Sequence, residues 1–126
     1  MLYEEITHKI IGCAMRVHGF LGCGFQEVIY QRALAIELKK QGLNFVRERE
    51  MVILYEDVEV GTWKVDFFIE DVILVELKAV GVLDDLHLAQ AKNYCEIYKL
   101  PVGLLINFGG QRLEFKRIYN TKIANK

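Results

Sequence analysis

Val72-Ile-Leu-Val-Glu-Leu-Lys-Ala79 is the stretch on which the fold turns. Read as a strand, it places Val72, Leu74, Glu76 and Lys78 on one face and Ile73, Val75, Leu77 and Ala79 on the other. Both faces are largely apolar, as in a central strand covered on both sides. Downstream, Asp84 and Asp85 supply a cap for a helix reaching about Lys99, Pro101 ends it, and residues 102–108 read as a second buried strand. Strand, helix and strand of these lengths form a right-handed crossover, so the two strands are expected to run parallel.

Working outward, residues 45–47, 51–55 and 58–70 are β-rich, and their short connections imply antiparallel hairpins. Ile6, Ile10, Cys13 and Val17 step by four, three and four, the spacing of one helix face. That helix should stop near Gly19, because Gly19, Gly22 and Gly24 fall within six residues. A second helix is predicted over 25–41, with Gly42 just past its end. After residue 108, Gly109-Gly110 turns the chain and 112–118 alternates as a final strand. The order α, α, β, β, β, α, β, β predicts an α/β (α+β) fold, a mixed sheet flanked by helices.

A length of 126 residues fits one domain over 1–126, and no repeat, low-complexity stretch or linker divides it. At 52% hydrophobic and 26% charged the chain is globular in composition, with no apolar run near the ~20 residues a membrane helix needs. Met1-Leu-Tyr-Glu-Glu carries no basic leader, so no signal peptide is expected. Cys13, Cys23 and Cys95 are odd in number and lack metal-ligand spacing, which excludes a zinc ribbon and a disulfide scaffold and predicts reduced thiols in the cytoplasm. The net charge of −1 argues against coating nucleic acid by bulk electrostatics. Its distribution is uneven: +1 over 1–42, −6 over 43–84 and +4 over 85–126. A solvated acidic hairpin and basic tail is the first reading; a cation site beside a phosphate-binding surface is the second.

The informative residues are charges that periodicity places inside. Glu76 and Lys78 emerge from a mostly buried face, and buried charges are costly unless they pair or bind an ion. Asp66, in the preceding strand, shares a face with Lys64, Phe68 and Glu70, while Trp63, Val65, Phe67 and Ile69 take the other. In a hairpin, Asp66 and Glu76 share a face only if paired residue numbers sum to an even value such as 142. A strict two-residue turn would separate them, so a three-residue loop or bulge near 70–72 is predicted. Two carboxylates and a lysine on one face can hold Mg2+ or Mn2+ and hydrolyse a phosphodiester. A structural Glu76–Lys78 or Asp66–Lys78 ion pair is the simpler alternative.

Two helices add candidates. Glu27 starts the second helix on or beside its inward side, although an acid there also complements the helix dipole. In the third helix Leu86, Gln90, Asn93 and Ile97 share a face expected to point inward, with His87, Ala89 and Tyr94 beside it. Gln90 is unusual there; a surface glutamine with a packed stem is the plainer role. Of His8, His18 and His87 only His87 falls near the proposed site, and a capping or surface role is favoured for it. Cys13 and Trp63 read as packing residues.

Gly24-Phe-Gln-Glu27-Val-Ile-Tyr30 resembles the GxxExxY family, a branch of the PD-(D/E)XK nuclease superfamily. The likeness continues through Val65-Asp66, Val75-Glu-Leu-Lys-Ala79, His87-Leu-Ala-Gln90-Ala-Lys-Asn93-Tyr94, Leu104-Leu-Ile-Asn-Phe-Gly109 and Leu113-Glu-Phe-Lys-Arg117. It departs at Cys23 and Cys95, neither a catalytic position. The resemblance implies a restriction-endonuclease-like αβββαβ core with an extra N-terminal helix and C-terminal strand. It further implies that Asp66 and Glu76 bind the metal, that Lys78 is the catalytic lysine, that Glu27 completes or supports the metal site, and that Gln90 is an active-site helix residue. Tyr30 and Tyr94 would back the site from behind.

The expected function is a metal-dependent nuclease using Mg2+ or Mn2+, acting on nucleic acid, with DNA favoured over RNA. Lys92, Arg112, Lys116 and Arg117 would contact the backbone, and a chain of this size needs a homodimer partner or another chain for specificity. The competing expectation is a catalytically silent nucleic-acid- or protein-binding module on the same fold. Hydrolysis of another phosphate ester or anhydride is the weaker third.

Overall fold

The computed structural model describes residues 3–120. The chain's first two residues, where the reading of its leader begins, and residues 121–126, with Lys122 and Lys126 of the basic tail, lie outside the described residues. Three helices and five strands follow in order: α1 (Glu4–Leu21), α2 (Glu27–Lys40), β1 (Phe45–Tyr55), β2 (Val58–Ile69), β3 (Ile73–Lys78), α3 (Asp85–Ile97), β4 (Val102–Asn107) and β5 (Glu114–Tyr119). The strands form one mixed sheet in the order β1-β2-β3-β4-β5. The β3–β4 pair is parallel across the α3 crossover, and the other neighbours are antiparallel.

The apolar residues sort into two layers. On one face Ile10, Cys13, Ala14 and Val17 of α1 and Tyr30, Leu34 and Leu38 of α2 pack on Ile73, Val75 and Leu77 of β3 and on Leu104 and Ile106 of β4. On the other face Ala91 and Cys95 of α3 pack on Val65, Phe68, Leu74 and Leu105. β3 and β4 are therefore covered on both sides, which is why their sequences are nearly continuous apolar runs.

Local boundaries follow the glycines with two adjustments. α1 runs through Gly19 and stops at Leu21, because Gly22 at φ 71 takes up the left-handed turn and its N–H bonds to His18 O at 2.8 Å. α2 begins at Glu27, two residues later than expected, and ends before Gly42 at φ 72. β1 is continuous through Arg47-Glu-Arg-Glu50; as an edge strand it tolerates an exposed charged run.

The inward face of α3 differs from the sequence expectation. Leu86, Gln90, Asn93 and Ile97 are exposed, whereas Ala91 and Cys95 are buried. The reason lies in β4: a Cβ on Gly103 would meet Cys95 Sγ at 2.7 Å, so α3 approaches the sheet closely through its small residues. Larger Leu and Ile side chains are left outside.

Candidate active site

The site is built where β2 and β3 part. Phe67 pairs with Val75, Phe68 with Leu74 and Ile69 with Ile73, so every pair sums to 142. Residues 70–72 form the three-residue loop, with Glu70 (φ 52) and Asp71 (φ 59) both left-handed. The predicted even register holds.

Beyond Phe67–Val75 the ladder ends, and the Asp66 side chain fills the gap: Oδ2 accepts the Leu77 N–H at 2.8 Å. Oδ1 accepts from Gln31 Nε2, on α2, at 2.9 Å. Asp66 reaches both because strand alternation breaks there. Trp63 and Val65 lie with Phe68 on the α3 face, while Phe67 and Ile69 lie on the α1–α2 face. The expected grouping of Trp63 and Val65 with Phe67 and Ile69 is thus corrected. The break is shared by β1: the pairs Arg47–Phe67 and Arg49–Val65 flank a missing rung at Glu48–Asp66, and Glu48 sits at φ 53. A non-glycine residue held left-handed inside a strand is strained backbone, and it lies directly across from the acid.

Glu76 is buried on β3, and its Oε1 has no hydrogen-bond partner. Burial, and then the charge of Asp66, push its carboxyl up to about 9. Burial also raises Asp66, against the opposing pull of the Leu77 N–H, the Gln31 amide and Lys78. Two desolvated carboxyls side by side cannot both ionise easily, so the pair holds a proton at neutral pH. Among the described residues no ion pair joins Lys78 to either acid, which leaves the structural ion-pair reading without support.

Glu27 stands at the start of α2 and is exposed, not turned inward as expected, because Tyr30 and Gln31 take the buried side of that turn. Partial desolvation still raises its carboxyl, and Lys78, Asp66 and His87 all act on it electrostatically. Its placement is fixed by the loop before it. The Tyr30 hydroxyl donates to Gly22 O at 2.6 Å and accepts the Phe25 N–H at 3.2 Å, while its ring stacks on Phe108 at 4.6 Å. His87 closes a capping box with Asp84 at the start of α3, the capping role read from sequence. Tyr94 stacks on Trp63 at 3.4 Å, and the Glu76 charge reaches its hydroxyl. Trp63 is a packing residue, as expected. Gln90 is exposed and its side chain makes no hydrogen bond among the described residues, so the structure brings Glu27, Asp66, Glu76 and Lys78 together without engaging Gln90.

Two supporting residues went unread in the sequence. Gln31 lies one helical turn after Glu27, and that i, i+4 spacing was the available signal. Asn107, fully buried, accepts the Val80 N–H and donates to Val80 O, each at 2.9 Å, and donates to Glu114 Oε1 at 2.9 Å. It fastens the chain leaving Lys78, and Gly109 lies so close that a Cβ would overlap the Val80 backbone.

The donor set suits a hard divalent cation: two adjacent carboxyls, one with a buried oxygen lacking any partner. Asp66 and Glu76 would hold it. Among the described residues no three acidic, His or Cys side chains gather at ligand spacing.

A family model of the PD-(D/E)XK nuclease superfamily matches residues 4–118. The crystal structure of SSO0001 is similar at a TM-score of 0.57 and 19% identity, covering 98% of this chain and 65% of that one. The chain therefore spans just under two thirds of that protein's length, and at this identity the likeness carries the fold. No curated protein matches the chain. Among the described residues no helix is long and apolar enough to cross a membrane.

Proposed function

This chain belongs to the PD-(D/E)XK nuclease superfamily, and from that membership we propose that it is a metal-dependent nuclease, of the GxxExxY branch, that hydrolyses phosphodiester bonds of nucleic acid. The observation that carries this is the unpartnered, buried Glu76 Oε1 beside Asp66, with Lys78 two residues along the same strand. Glu76 is hydrogen-bonded to Asp66, but its Oε1 is buried with no partner, and such an oxygen is costly in a purely structural role. It is accounted for if a cation is its partner.

Asp66 and Glu76 would hold Mg2+ or Mn2+, with Asp66 oriented by Gln31 and the Leu77 N–H. Bound there, a divalent cation polarises the phosphoryl oxygens and acidifies water. Lys78 orients the attacking water and offsets the negative charge gathering on the phosphoryl oxygens. Water adds to phosphorus and gives up a proton, the bond to the leaving sugar oxygen breaks, and that oxygen takes up a proton from solvent. Glu27 faces the site from α2 and orders water between itself and Lys78. Gln90, on the exposed side of α3, contacts the substrate strand. We place the activity in the cytoplasm, on DNA in preference to RNA, in a chain forming a single domain that works as a homodimer or with another chain.

The test is a panel of supercoiled and linear DNA, single strands and RNA with Mg2+ or Mn2+. Cleavage by the wild type that Glu76→Gln and Lys78→Ala each abolish supports the reading. Wild-type cleavage unchanged in both variants overturns it. The absence of a three-ligand cluster among the described residues favours one second reading, a catalytically silent nucleic-acid- or protein-binding module on the same fold. Nucleic-acid binding without cleavage under any metal would select it.

A further inference from the structure

On the side of Asp66 that Gln31 covers, a groove between α2 and β1 is lined by Val28, Gln31, Arg32, Arg47 and Glu48. Its two arginines are chain neighbours of the residues that frame Asp66. Arg32 follows Gln31, the donor to Asp66 Oδ1. Arg47 precedes Glu48, whose rung opposite Asp66 is missing. Arg32 and Arg47 also line a second groove farther along α2, together with Lys39. Three cations thus stand against one acid, Glu48. Among the described residues none of the three cationic side chains makes an ion pair or hydrogen bond. The nearby acid Glu37 is held instead by Lys40 at 3.2 Å and Arg16 at 3.6 Å.

A solvated basic face is the plain alternative for surface arginines. Two facts argue against it here. The two arginines line one concavity from different elements, and that concavity shares Gln31 with Asp66. Guanidinium forks match phosphate oxygens bidentately, and like charges left together unneutralised fit a polyanion. By contrast, Arg117 of the basic C-terminal third is engaged with Thr7 Oγ1 at 3.5 Å and over the Phe115 ring, on the sheet edge opposite β1.

We infer that the α2–β1 groove is a phosphate-binding subsite, in which Arg32 and Arg47 hold the nucleic-acid backbone beside the phosphate being cut. This rests on the proposed nuclease function. The subsite leads the strand along α2 toward Lys39, so the principal backbone contacts come from α2 and β1 and not from the basic C-terminal third.

The experiment is fluorescence anisotropy with a labelled DNA duplex and a single strand, with chelator present so that nothing is cleaved, between about 50 and 200 mM salt. The full chain is compared with Arg32→Ala/Arg47→Ala and with Lys92→Ala/Lys116→Ala, which removes the same charge from exposed positions elsewhere. All four side chains are exposed, and circular dichroism checks that each variant folds; Arg32→Gln/Arg47→Gln replaces the first if it does not. The first variant should bind at least about tenfold more weakly, with the log–log salt slope reduced by about 2. The second should stay within about threefold of wild type. Equal losses in both variants, or none in the first, would overturn the subsite while leaving the nuclease reading intact. Failure of the wild type to bind either probe would overturn both.

Discussion

The Asp66 carboxylate replaces a strand rung, its Oδ2 accepting the Leu77 N–H at 2.8 Å where β2 and β3 have stopped pairing. One side chain therefore completes the sheet and turns its charge toward Glu76. The contact also explains why the two strands can part without leaving a buried N–H unpaired.

Glu76 should make the metal-free protein less stable as pH rises. Its carboxyl is pushed up to about 9 in the folded chain from an ordinary 4.5. Between those values the folded chain keeps a proton that the unfolded chain has released, so stability falls with pH, by up to about 1.4 kcal/mol per unit. Below about 4.5 both states are protonated and the contribution is fully present. Above about 9 it is lost. Denaturant titrations in chelator from pH 5 to 9 should show this slope in the wild type and a flatter profile in Glu76→Gln. Parallel profiles would contradict it.

Gln31→Leu should weaken Mn2+ binding by roughly 10–100-fold while the fold persists, because the amide holding Asp66 Oδ1 is gone but the buried volume is kept. Calorimetry reads the affinity. An unchanged affinity would remove Gln31 from the site.

Tyr30→Phe should cost about 1–2 kcal/mol, since the lost hydroxyl serves both Gly22 O and the Phe25 N–H. Cleavage should drop as Glu27 loses its fixed approach, with Mn2+ affinity at Asp66 and Glu76 nearly unchanged. A parallel loss of affinity would place Tyr30 closer to the metal than its contacts do.

Asn107→Ala strips four hydrogen bonds, the one from the Gly109 N–H among them, from a fully buried position and should destabilise by roughly 2–4 kcal/mol, a loss seen by thermal denaturation. Gly109→Ala should be worse, because its Cβ would meet backbone and not a movable side chain. A mild effect at Gly109 would mean that the turn relaxes.

Much of this was legible beforehand for a physical reason. Continuous apolar runs at β3 and β4 can only belong to a sheet covered twice, and placing Asp66 and Glu76 next to one another required an even register. Other features carry no mark in the sequence. The change of face at Asp66 depends on Glu48 adopting a left-handed conformation that no glycine announces. On α3, the large Leu86 and Ile97 outweighed Ala91 and Cys95 in the reading, yet Gly103 makes the small residues the ones that fit. Gln31 and Asn107 escaped because a neutral amide gains its meaning only from the partner that folding brings to it.

The central claim is that Asp66 and Glu76 form a competent metal site, and calorimetric titration of Mn2+ into the full chain tests it most directly. Performed near neutral pH in two buffers of different ionisation enthalpy, it should give saturable binding with release of about one proton, the one held by the acid pair. Folded Asp66→Ala should show neither. Saturable binding of equal strength in both proteins, or none in the wild type even with a DNA duplex present, would contradict the account.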